Sequence, residues 1–256
     1  MEKTSFPIFI LAALLSASGC TGKGPGKKNL KAEMDTIAVP DTGYTGIKKF
    51  MSGEYLVMEV TFKNGVRDGL MKSFYKGGQV RQTYWYENGL KEDSVRWYYQ
   101  EGQLFRSSPY KHDTIDGIQK QYYRTGKLKA KIGYRKGLRT AYFEEFTPEG
   151  RLVKGYPELV VDIRDEYSIN GLYHIGLELT DKSPKVKFYR GDFMDGRFDT
   201  AKYKIIKTIQ GKGTIDLKKT GTPKPEYVGV IAEILTPFGN RLLTWKKIEL
   251  PYKDLN

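Results

Sequence analysis

The chain has 256 residues, 43 Lys and Arg against 30 Asp and Glu, and one Cys, for a formal net charge of +13. A lone cysteine excludes an internal disulfide and a thiolate metal cluster. The basic excess sits mainly in residues 44–152, with 20 basic against 12 acidic residues, and less from 155 onward, with 17 against 14; it directs attention to an anionic partner.

The first 19 residues read as a leader. Phe6 to Leu15 is a mainly apolar run of ten residues, too short to span a bilayer as a helix. It breaks into Ser16-Ala17-Ser18-Gly19-Cys20, and a short apolar core followed by small residues is an export signal. Small residues ending at a cysteine resemble the lipobox of bacterial lipoproteins, with Ala17 where leucine is commoner. The resemblance implies cleavage after Gly19 and fatty acylation of Cys20. Two or three acyl chains anchor a protein firmly, since each buried CH₂ contributes about 0.8 kcal/mol. The expected address is the cell envelope, lipid-anchored, on the periplasmic face of the outer membrane. A cleaved secretory signal is the plainer alternative.

Residues 20–43 read as a basic tether. Lys23, Lys27 and Lys28 alternate with Gly22, Gly24, Pro25 and Gly26, a composition that packs no core.

Residues 44–154 repeat with a period of 24, marked by Gly78, Gly102, Gly126 and Gly150. Four residues before each stands an aromatic: Phe74, Tyr98, Tyr122 and Phe146. Tyr75, Tyr99 and Tyr123 follow the first three. Asn64-Gly65 recurs as Asn88-Gly89, His112-Asp113 and Lys136-Gly137, and Asp68-Gly69 as Asp116-Gly117. Leu128, Ala130, Ile132 and Tyr134 alternate with Lys127, Lys129, Lys131 and Gly133, the period of a strand with one buried face. Asn-Gly pairs suit turns that need positive φ. Each unit therefore predicts two short strands, and one hairpin alone cannot bury its apolar face, so units must stack.

The pattern Asn-Gly, Asp-Gly, aromatic-Tyr, Gly-basic-Leu resembles the MORN repeat, in its bacterial variant. The resemblance implies an elongated antiparallel β-hairpin array that acts in protein interaction or membrane apposition; some bacterial members carry an antitoxin label. Glu92-Asp93, Thr140-Ala141 and His112-Asp113 depart from the pattern, so those turns are expected to differ in length or shape.

Lys127, Lys129, Lys131, Arg135, Lys136 and Arg139 form the candidate binding surface, a basic stripe suited to an envelope protein or an acidic glycan. Nucleic acid is a poor partner for an exported chain. A solvated sheet face accounts for the same lysines, which also discourage edge pairing. Tyr84, Trp85, Tyr86, Trp97, Tyr98, Tyr99, Tyr122, Tyr123, Tyr142 and Phe143 read as the core of a one-layer sheet or as a sugar-stacking platform.

Residues 155–256 lose the register after Pro157. Seven strand-like runs follow: 158–163, 171–179, 185–189, 201–209, 213–217, 227–235 and 241–248. They predict an immunoglobulin-like β-sandwich, without the Cys…Trp…Cys signature of antibody domains. The fold class is thus all-β: a hairpin array followed by a sandwich.

No cofactor and no metal are expected. His112 and His174 have no second ligand at a suitable spacing. Three carboxylates between Asp192 and Asp199 do not match an EF-hand loop. The functional expectation is a non-catalytic binding or scaffold lipoprotein. The alternatives are a carbohydrate-binding module and, more weakly, an antitoxin-like protein or a hydrolase using Asp192 and Asp195 as acid and base.

Overall fold

The computed structural model describes residues 43–222 and 226–256. The leader, Cys20 and almost all of the tether lie outside the described residues. What is described is almost entirely antiparallel β-structure.

The repeat register becomes ten consecutive strands: β1 (Gly46–Ser52), β2 (Tyr55–Lys63), β3 (Val66–Phe74), β4 (Val80–Glu87), β5 (Leu90–Tyr98), β6 (Leu104–Lys111), β7 (Thr114–Ile115), β8 (Gly117–Tyr122), β9 (Leu128–Arg135) and β10 (Leu138–Glu145). Each pairs with its sequence neighbour in one sheet, except that β7 and β8 both pair with β6. The evenly spaced glycines lie in tight bends. Gly78, Gly102, Gly126 and Gly150 have φ of +84°, +95°, +81° and +94°, which a residue with a Cβ adopts only at a cost. Each bend closes identically. Tyr123 N–H donates to the Lys127 carbonyl and Gly126 N–H to the Tyr123 carbonyl, both at 2.9 Å. Tyr75, Tyr99 and Thr147 head the same arrangement in the other units.

The opposite bends are two-residue turns with both central φ positive: Asn64-Gly65, Asn88-Gly89, His112-Asp113 and Lys136-Gly137, as the right-handed twist of a hairpin favours. His112-Asp113 takes the same shape at φ 48° and 61°, so the expected change of shape does not occur there. Asp93 likewise takes a positive φ where the pattern has the glycines Gly69 and Gly117. Asp tolerates the left-handed region better than most residues.

Neighbouring units are stitched at both edges. At one, the hydroxyls of Tyr75, Tyr99 and Tyr123 donate to the carbonyls of Tyr98, Tyr122 and Phe146 at 2.7, 3.0 and 2.7 Å. At the other, the turn N–H groups of Asn88, His112 and Lys136 donate to carboxylates of Asp68, Glu92 and Asp116 at 3.2, 2.9 and 3.2 Å. Each acceptor lies one unit back. The last unit has Thr147 in place of the tyrosine and Thr140 in place of the acid.

After β10 come β11 (Leu159–Glu166), β12 (Leu172–Leu179), β13 (Val186–Arg190), β14 (Arg197–Phe198), β15 (Lys204–Ile206), β16 (Thr208–Ile209), β17 (Lys212–Lys218), β18 (Tyr227–Leu235) and β19 (Arg241–Glu249). Two four-stranded sheets form, ordered β11-β12-β17-β16 and β15-β13-β18-β19. The two sheets make a β-sandwich. Inward residues of both sheets, among them Ile175, Leu177 and Leu217 facing Phe188, Val230 and Ala232, make one core.

One expectation is corrected here. Residues 201–209 are not one strand. A helical turn (Thr200–Lys202) precedes β15, and the chain crosses at Lys207 from one sheet to the other. The 192–199 loop folds over the outer face of its own sheet, where Phe193, Phe198 and Tyr203 pack on Tyr189, Ile231 and Leu243. It also delivers β14 to the edge of β10, making the array sheet eleven-stranded.

The two parts meet at Glu145, which is fully buried. Its Oε1 accepts from Thr236 Oγ1 at 2.7 Å and Asn240 Nδ2 at 2.8 Å, and its Oε2 from the Tyr156 hydroxyl at 3.4 Å. The Arg139 guanidinium donates to the Arg241 carbonyl beside it.

Candidate functional site

Because side chains alternate across a strand, the array sheet presents two faces. On the outer face one cross-strand row can be followed through nine strands: Lys49, Glu59, Lys72, Thr83, Arg96, Ser107, Lys120, Lys131 and Glu144. Lys49, Lys72, Arg96 and Lys120 stand on β1, β3, β5 and β8, each two strands from the last. With strands about 4.8 Å apart, the cations recur at roughly 9.6 Å. Ion pairs engage Lys49 with Glu59 at 3.6 Å, Arg96 with Asp93 at 3.8 Å and Lys131 with Glu144 at 2.8 Å.

A second outer row runs beside the first and mixes large apolar side chains with Thr61, Glu92 and Gly133. Ile47, Leu70, Trp85, Ile118 and Tyr142 are exposed in it, Ile47 at 60% and Trp85 at 42%. Leu70 lies directly opposite Trp85. Gly133 leaves a gap filled by Thr140 and Tyr142; a Cβ there would sit 2.2 Å from Thr140 Oγ1. The aromatics thus divide. Tyr84 and Tyr86 are buried on the inner face, whereas Trp85 and Tyr142 stand in the exposed row.

The six cations singled out from sequence do not gather in one patch. Lys127 is in the bend before β9 and points to the Glu149 carbonyl at 3.3 Å. Arg135 and Lys136 lie at the far end of β9. Lys129 lies 5.7 Å from the Tyr123 ring, and burial lowers its pKa. Lys131 alone belongs to the outer row. Arg139 is at the joint with the sandwich. Lys72, Arg96 and Lys120 were not singled out, although their spacing of 24 is legible in the sequence.

On the inner face, the row Ser73, Gln82, Trp97, Arg106, Gln121, Ala130 and Glu145 crosses the middle of the array. The Arg106 guanidinium lies 4.0 Å from the centre of the Trp97 ring. Gln119 Nε2 donates to Ser108 Oγ at 2.9 Å, and Tyr84 OH to Gln82 Oε1 at 2.9 Å.

In the sandwich, folding brings together groups far apart in sequence. His174 Nδ1 lies 2.6 Å from Asp216 Oδ1 and its Nε2 4.0 Å from Glu166. Pairing of β12 with β17 makes that contact, 42 positions apart. Asp192 accepts from Trp245 Nε1 at 2.8 Å and Tyr227 OH at 2.7 Å, Asp195 pairs with Arg197 at 2.9 Å, and Asp199 accepts from the Ala201 N–H at 3.1 Å. These three carboxylates therefore serve three separate local roles. Among the described residues no helix is long and apolar enough to cross a membrane.

The family model described as the MORN repeat variant matches residues 94–112 and 115–136, from β5 to the turn after β9. No curated protein matches the chain.

Proposed function

We propose that the chain is a non-catalytic binding and scaffold protein of the cell envelope, held there by a lipidated Cys20, whose array presents its outer face to an extended acidic polymer. The observation that carries this reading is the row of Lys49, Lys72, Arg96 and Lys120, one cation per hairpin, beside the exposed row of Leu70, Trp85, Ile118 and Tyr142. A file of cations recurring every second strand suits a linear partner more than a compact one. The likeness of residues 94–136 to the MORN repeat variant is compatible with binding or scaffolding. An acidic polypeptide segment and an acidic glycan both fit the charge row, and the exposed rings favour the glycan.

The test is charge reversal. The triple variant K72E/R96E/K120E is expected to lose binding to polyuronate and polyglutamate at least tenfold, with a flatter dependence on salt, while its far-ultraviolet circular dichroism stays unchanged. Equal binding by the variant would overturn the reading. The anchor is checked separately. Inhibiting lipoprotein signal peptidase should accumulate an unprocessed precursor, and no accumulation would mean that Cys20 carries no lipid.

A further inference from the structure

The period of 24 makes the inner face a controlled comparison, since equivalent positions can be read unit against unit. One core position is Val60, Tyr84, Ser108 and Ile132 in successive units; another is Met71, Val95, Gln119 and Phe143. A third is Met58, Gln82, Arg106 and Ala130. The hairpin of β6 and β8 is thus the one in which the first two of these positions turn polar and the third becomes charged. Ser108 and Gln119 are nevertheless buried. A pattern kept elsewhere and broken in one unit is where function is expected to override packing.

What stands at the break is a guanidinium that meets no carboxylate among the described residues. Arg106 Nε is covered and, among the described residues, has no hydrogen-bond partner. The groups that bear electrostatically on Arg106 are the phenols of Tyr134, Tyr110 and Tyr84, and none of them is a carboxylate. By contrast Arg96, Arg124, Arg164, Arg197 and Arg241 each meet a carboxylate. A covered cationic donor left unpaired is costly, and burial shifts the Arg106 pKa downward. The Arg106 guanidinium lies 4.0 Å from the Trp97 ring centre, and the fork of a guanidinium matches a carboxylate. Gln121 lies directly across from it. Its amide serves a polyhydroxylated ligand, with Tyr110 and Tyr134 as ring walls.

We infer that the inner face around Arg106 is a binding site for a sugar acid, in which Arg106 takes the carboxylate and the flanking amide and rings take the sugar. One cation backed by phenols matches a singly charged carboxylate better than a doubly charged phosphate. The site is on the face opposite the outer cation row and stands independently of it.

The test follows the arginine Nε–Hε resonances of the full chain by nitrogen-15 correlation spectroscopy. The peak that vanishes in Arg106→Lys identifies Arg106. Titration with glucuronate is expected to move that peak saturably, with acetate at least tenfold weaker and glucose without effect. Arg106→Lys should weaken glucuronate binding at least tenfold by calorimetry while the melting temperature shows that it still folds. Gln121→Ala should weaken glucuronate but leave acetate unchanged. No saturable shift, equal affinity for acetate and glucuronate, or full binding by Arg106→Lys would each overturn the inference.

Discussion

Tyr99 shows what a single side chain does in this array. Its ring sits beside Phe105, 5.1 Å between centres, and under the Arg124 guanidinium at 4.7 Å, while its hydroxyl donates to the Tyr122 carbonyl of the next unit. Tyr99→Phe keeps the ring and removes only the hydrogen bond. The expected loss is about 1 kcal/mol, read by denaturant unfolding, with Tyr75→Phe and Tyr123→Phe matching it. A loss near zero would mean that the hydroxyl is as well satisfied by water and that the stitch does not bind unit to unit. The aromatic-tyrosine pair was legible in the sequence as a marker. That the second ring reaches forward to the next unit was not, because the acceptor is a backbone carbonyl and leaves no trace in residue identity.

At the scale of the hairpin, the bend is set by backbone geometry and not by contacts. Gly126 has φ of +81° with no heavy atom within 4 Å of where a Cβ would stand. Gly126→Ala therefore tests conformation alone and is expected to cost about 1–2 kcal/mol, seen as a lower unfolding midpoint with an unchanged slope. Gly133→Ala is a different case, since the new methyl collides with Thr140 and Tyr142. The 24-residue glycines were legible because only one residue type takes that conformation freely. The crossing at Lys207 was not, because residues 201–209 read as one strand and the choice between two sheets depends on what each can pack against.

Across the whole molecule, Glu145 couples the array to the sandwich. Glu145→Ala would leave the Thr236 hydroxyl and the Asn240 amide without their acceptor inside the joint. The expected loss is about 3 kcal/mol, and calorimetry should resolve separate array and sandwich transitions in the variant. One unbroken transition with unchanged midpoint would show that the joint is held by other contacts, such as β14 on β10. The bend it grips, Thr236 to Asn240, closes like the array bends: Thr236 N–H donates to the Asn240 carbonyl at 2.8 Å and Gly239 N–H to the Thr236 carbonyl at 2.9 Å.

By itself the sequence determined the hairpins, their period and their bends, because alternation and positive φ are local properties written at fixed spacing. Only the tertiary structure decided which charges stand together. Lys127 and Lys136 belong to one neighbourhood in sequence and to opposite ends of a strand in space, while Lys72, Arg96 and Lys120 are distant in sequence and form one file. Cross-strand pairing sets such neighbours, and it depends on register between strands that the chain reaches one unit later.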